Sequence, residues 1–132
     1  MTDTLIPAQA QGRTTLPGND EAIMVPSGQG ISLQEVILDR PSADAAIYRF
    51  RYLAPAIARE GGTMDFETSI TDMQTLCNTH ALPLLGGDLP ASVQVIIAFS
   101  DMALPFGETN PDATQFFVAF NIEDGVCVLE PY

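Results

Sequence analysis

Asp65 to Ala81, DFETSITDMQTLCNTHA, is the one long stretch of this chain whose apolar residues recur at helical spacing, and that limits the fold more than any other feature. Phe66, Ile70, Met73, Leu76, Cys77, His80 and Ala81 share one helix face. Thr63 or Asp65 is placed to cap the first turn, and Glu67 and Asp72 lie in the N-terminal half, where carboxylates complement the helix dipole. Pro83 and the Gly86-Gly87 pair are expected to end the helix. A single apolar stripe must be buried against a different kind of layer, and the rest of the chain reads as strand.

ISLQEVILD (31–39) is rich in β-branched residues, and RPSADA (40–45) interrupts it with turn formers. AIYRFRYLA (46–54) alternates, with Tyr48, Phe50 and Tyr52 on one face and Arg49 and Arg51 on the other, so the two runs form a hairpin. SVQVIIAFS (92–100) is nearly continuous apolar sequence, as in a strand buried on both faces. FFVAFNIE (116–123) and VCVLEPY (126–132) flank Asp124-Gly125, the signature of a type I′ hairpin. The order is β-β-α-β-β-β: an α+β fold, with a mainly antiparallel sheet of about five strands and one long amphipathic helix packed on it. Residues 1–22, polar and holding Gly12, Pro17 and Gly18, read as a flexible arm, and 23–132 as one domain. At 132 residues the chain has room for one core.

Charge removes several functions. The net charge is −12, and all five basic residues are arginine: Arg13, Arg40, Arg49, Arg51 and Arg59. Such a field repels a phosphate backbone, so nucleic acid and anionic membranes are not expected partners. Without lysine there is neither Schiff-base chemistry nor a P-loop. No run of apolar residues is long enough for a membrane span. The opening MTDTLIPAQAQG lacks the basic and apolar regions of a signal peptide, which agrees with a cytoplasmic protein; LIPAQAQ, with Ala8 and Ala10, has the form of an export-cleavage region.

YRFRYLAPAI, DMQTLC, PFGETNPDATQFF and IEDGVC resemble the corresponding stretches of a family of small uncharacterised alphaproteobacterial proteins, from about Val25 to the C-terminus. The resemblance implies export, since many members carry an export signal. Some members bear the name acetolactate synthase, which does not fit here: a thiamine-diphosphate synthase needs several domains, and its small regulatory partner a second long helix. The resemblance supplies no catalytic residue.

Four groups of residues are candidate sites. Cys77 faces the core side of the helix and Cys127 lies in the last strand; they are either two buried thiols or, in an oxidising compartment, a disulfide with Cα atoms about 4.4–6.8 Å apart. His80, the only histidine, follows Cys77 by three residues, a spacing open to a thiol–imidazole pair and equally to a histidine packed near a helix C-terminus, where positive charge is favoured. Arg49 and Arg51 project from one strand face, either to hold an anion together or to pair with acids of the chain itself. Asp101, Glu108 and Asp112 carry oxygens but lack the EF-hand spacing. The connector holding PFGETNPDATQFF is expected to contain one helical turn begun by Asn110-Pro111-Asp112, with a ligand loop as the alternative. No metal site or cofactor is expected. The functional expectation is a small, exported, non-enzymatic binding or accessory module for a protein or small-molecule ligand, the alternative being a hydrolase or thiol enzyme centred on Cys77 and His80.

Overall fold

The structure is a computed structural model that describes residues 12–18, 21–42, 44–58, 61–85, 91–106, 108 and 110–130. Among the described residues six strands form one sheet in chain order: β1 (Gly12–Pro17), β2 (Ser32–Ser42), β3 (Ala45–Leu53), β4 (Ser92–Ser100), β5 (Gln115–Glu123) and β6 (Val126–Leu129). All neighbours are antiparallel except β3 and β4, which run parallel. A parallel pair needs a long crossover. The helix supplies it, so the α+β reading holds with six strands instead of five.

The additional strand lies inside the stretch read as an arm. GRTTLP contributes Leu16 as its single large apolar residue, too little for a period of two to stand out, and its Pro17 is tolerated at the end of an edge strand. β1 pairs with β2 from Gly12 opposite Arg40 to Pro17 opposite Glu35; residues 1–11 and 19–20 lie outside the described residues. Just beyond it, the Gly18 amide donates to the Gln34 carbonyl at 2.9 Å. A Cβ at Gly18 would stand 1.9 Å from the Leu33 carbonyl oxygen, so only glycine passes here. Between Leu33 and Glu35 the pairing of β2 with β3 shifts, and Gln34 occupies the bulge.

The β2–β3 and β5–β6 hairpins follow the alternation. β2 continues through the turn formers to Ser42, which pairs with Ala45. Asp124 and Gly125 have φ of 53° and 79°, the left-handed pair a type I′ turn requires. On one sheet face Tyr48, Phe50, Tyr52, Val95, Ile97, Phe99 and Phe120 are fully buried. The helix lies against them through Met73, Leu76, Cys77, Ala81 and Leu85.

The helix begins at Phe66, capped by Asp65, whose carboxylate accepts from the Thr68 amide at 2.8 Å. It does not stop before Pro83. A helical segment over Phe66–Leu76 passes into a π-helical turn at Cys77–Ala81 and then into a last turn, Leu82–Leu85. Proline offers no N–H and its ring crowds the carbonyl four residues back. The wider turn, closed by the Leu82 amide donating to the Cys77 carbonyl, accommodates it; Gly86 and Gly87 lie outside the described residues. Asp72 is likewise not a solvated partner of the dipole. It is buried, and its carboxylate accepts from the Ser27 amide (2.9 Å), the Ser27 hydroxyl (2.5 Å) and Gln29 Nε2 (2.7 Å), clipping the 25–30 segment to the helix.

Cys77 and Cys127 form a disulfide with a Cα separation of 6.1 Å, tying the helix to β6. Two polar bonds flank it: the Cys127 amide donates to Asn78 Oδ1 (2.9 Å), and Gln74 Nε2 donates to the Cys127 carbonyl (2.8 Å). The bridge spans 50 residues. Reduction is therefore expected to lower stability by about 2–4 kcal/mol. Thermal melts with and without reductant check this, and equal melting temperatures would contradict it.

Candidate functional site

With the helix on one face, the other carries the odd-numbered residues of β3. Arg49 and Arg51 project there, level with Ile96 and Ala98 of β4, which in turn face Ala119 and Phe117 of β5. From β2, Glu35 stands opposite Arg51 and Asp39 lies two positions beyond the residue opposite Arg49. The sheet places cations and carboxylates side by side before any side chain chooses a rotamer.

The arginines pair with these acids. Arg51 Nη1 bonds Glu35 and Arg49 Nη1 bonds Asp39; Asp39 also accepts from Arg13 Nε at 2.8 Å. Arg13, Arg49 and Arg51 thus meet two carboxylates, a local excess of one positive charge in a molecule of net charge −12. The hydrogen bond and charge of Arg13, reinforced by Arg49, hold the Asp39 carboxyl below the usual carboxylate range despite its partial burial.

The β4–β5 connector closes this face. Its base is tied by the Asp101 amide donating to the Thr114 carbonyl (3.1 Å) and the Thr114 amide donating to Asp101 Oδ1 (2.8 Å). Two turns replace the expected helical turn: the Glu108 amide donates to the Pro105 carbonyl (3.1 Å), and the Ala113 amide to the Asn110 carbonyl (3.0 Å). Asn110 Oδ1 accepts from the Asp112 amide at 2.9 Å, so its side chain stabilises a tight turn in preference to capping a helix. The connector then reaches across the sheet. The buried Leu104 offers its carbonyl to Gln34 Nε2 (2.8 Å) and Arg51 Nη2 (2.9 Å). The ring centre of Phe106 lies 5.2, 5.6 and 5.4 Å from the guanidinium carbons of Arg13, Arg49 and Arg51, within cation–π range.

Between this connector and the sheet is a cavity of about 440 Å³. Gln34, Arg49 and Arg51 form its polar side, and Ile96, Ala98 and Phe117 an apolar side, with Phe106 and Glu108 contributed by the connector. Phe117 is 69% exposed, unusual for a phenylalanine in mid-strand. Arg49, Arg51 and Glu108 thus come together at one cavity, whereas Asp101 secures the connector's base and Asp112 sits exposed in its turn. Among the described residues, no three His, Cys, Asp or Glu side chains gather in a group able to hold a metal ion. Gln34, Ile96, Ala98, Phe106 and Phe117 are among the cavity residues that sequence reasoning missed.

Cys77 and His80 lie on the opposite, helix-covered side. The disulfide occupies the sulfur of Cys77. His80 Nδ1 is 2.8 Å from the Tyr52 hydroxyl, and its ring packs edge-on against Tyr52, with centres 5.6 Å apart. Burial pushes the imidazole pKa down and the Tyr52 phenol up, so this pair is held neutral, in contrast to a cation at a helix end.

The profile of a family of unknown function (DUF6497) matches residues 5–132, and the chain belongs to that family. The match begins about twenty residues before the resemblance traced from Val25. No curated protein matches the chain. No solved structure matches it either.

The Asp39 pairs give a pH-dependent prediction. Because its folded pKa is depressed, Asp39 stabilises the fold at neutral pH, and that contribution fades as the pH falls through the ordinary aspartate value, about 4, toward the lower folded one. Asp39→Asn is expected to lose about 1 kcal/mol or less at pH 7. The gap should close in melts recorded toward pH 3, and a gap constant from pH 7 to 3 would contradict the assignment.

Proposed function

We propose that this member of a family of unknown function is a non-enzymatic binding module, exported from the cytoplasm, that receives a small-molecule ligand in the cavity beneath the β4–β5 connector. One observation carries the reading: a concavity with an apolar side and a few convergent polar groups, of the size of small-molecule sites, about 300–1,000 Å³. Export draws support from the disulfide, since such bonds persist in oxidising compartments. Among the described residues, no helix is long and apolar enough to cross a membrane.

The thiol-enzyme alternative has less support. A nucleophilic cysteine must be a thiolate in a partly exposed, electropositive setting. Here the sulfur is bonded to Cys127, Cys77 is fully buried, and the imidazole is engaged by Tyr52.

Ala98→Trp fills the cavity from its apolar side without touching the helix-covered core. Small apolar and aromatic fragments that bind the wild-type protein by ligand-observed NMR should lose at least about tenfold in affinity to this variant, roughly the loss of one good buried contact. The disulfide and melting temperature should be retained. Fragments that bind both proteins equally, or a wild type that binds none, would contradict the cavity as the site.

A further inference from the structure

The two sides of the cavity differ in kind, and that difference specifies a ligand. Asp39 and Glu35 bond the arginines from β2, yet neither lines the cavity. The cavity wall therefore presents the cationic half of each pair. Each ion pair engages one terminal nitrogen, and a guanidinium carries five N–H donors. Arg51 is fixed further by the Leu104 carbonyl, and both guanidiniums lie under the Phe106 ring. Two arginines held in place by carboxylates behind them and an aromatic ring above are preorganised, so little side-chain freedom remains to be lost when an anion docks.

The side away from these guanidiniums is apolar. Ile96 and Ala98 are half-buried, and Phe117 stands largely exposed beside them. Phe106, whose ring covers the guanidiniums, is 42% exposed and also lines the cavity. Aromatic faces of this kind stack readily on a planar apolar group. Among the described lining residues Glu108 is the one carboxylate, exposed on the connector, against two arginines. Asp39 and Glu35 balance both arginines from behind, so an anion would be held by the remaining guanidinium N–H donors and not by a net charge of the site.

Resting on the reading of this cavity as a binding site, we infer that its ligand is a small amphipathic organic anion: one carboxylate against Arg49 and Arg51, and an apolar, ring-containing body against Ile96, Ala98, Phe106 and Phe117. A polyanion meets repulsion from the net charge of −12, and an uncharged ligand leaves the guanidinium N–H donors that Asp39, Glu35 and Leu104 do not use without an anionic acceptor.

Three probes separate the contributions: naphthylacetate, its uncharged analogue naphthylacetamide, and acetate, which has the charge without the body. They are titrated into the full, oxidised chain by ligand-observed NMR or calorimetry. Naphthylacetate is expected to bind at least about tenfold more tightly than the amide, the scale of a charge-assisted hydrogen-bonded pair, with acetate weaker than both. Arg49→Gln should bring naphthylacetate down to the affinity of the amide. If that variant does not fold, the wild-type comparison of acid with amide decides alone. Equal binding of acid and amide, both lost in Ala98→Trp, overturns the anion and leaves the cavity as the binding site. Binding that survives Ala98→Trp, or no binding of any probe, overturns the site and the inference with it.

Discussion

The parallel pairing of β3 with β4 is the constraint on which the other features depend. Every other connection in the sheet joins antiparallel neighbours, but this one must return the chain to the same end of the sheet before β4 begins. The return contains the only long helix among the described residues, and that helix lies on one face. Its burial against Tyr48, Phe50 and Tyr52 and its disulfide to β6 seal that face. Among the described residues the second face carries no helix, and the connector after β4 is the segment that crosses it. A sheet sealed on one side and loosely roofed on the other leaves space for a ligand on the second.

That second face is polar where the first is not, through the two-residue period of β3. Tyr52 and Arg51 are adjacent in the chain and project to opposite layers. Bare guanidiniums on a partly covered face would be costly to desolvate; carboxylates from β2 reduce the cost, and the Leu104 carbonyl and the Phe106 ring add to the neutralisation. The connector is held by the groups it covers, since Arg51 and Gln34 donate to its backbone. Fold and site therefore share their interactions: the ion pairs that keep the arginines in place also anchor the roof above them.

Local periodicity made much of this legible. The helix, both hairpins, the strand β4 and the Asp-Gly turn depend on residues near one another in the chain, and pattern reading reports those; β4, expected to be buried on both faces, has its buried apolar residues only on the helix side, with Ile96 and Ala98 half-buried at the cavity. What it missed depends on distant partners. β1 has one large apolar residue and is defined by its ladder to β2. Pro83 reads as a stop only if the helix keeps its ordinary pitch, which the π-helical turn abandons. Asp72 reads as a surface carboxylate until Ser27 and Gln29 fold over it. Arg49, Arg51 and Glu108 stood out by charge. Their apolar counterparts, Ile96, Ala98 and Phe117, did not, because a half-buried strand residue and a cavity-lining one look alike until register sets three strands level. Phe106 reaches the arginines through a connector whose path is set by bonds to β2 and β3, information absent from its own residues.

The central claim, that the face without a helix is the working face, is tested most directly by mapping backbone-amide NMR shifts as naphthylacetate is added to the oxidised protein. The largest changes are expected on Arg49, Arg51, Ile96, Ala98, Phe106 and Phe117, while Met73, Leu76 and Ala81 on the sealed side stay in place. Changes centred on the helix, or on the edge strand Val126–Leu129, would contradict it.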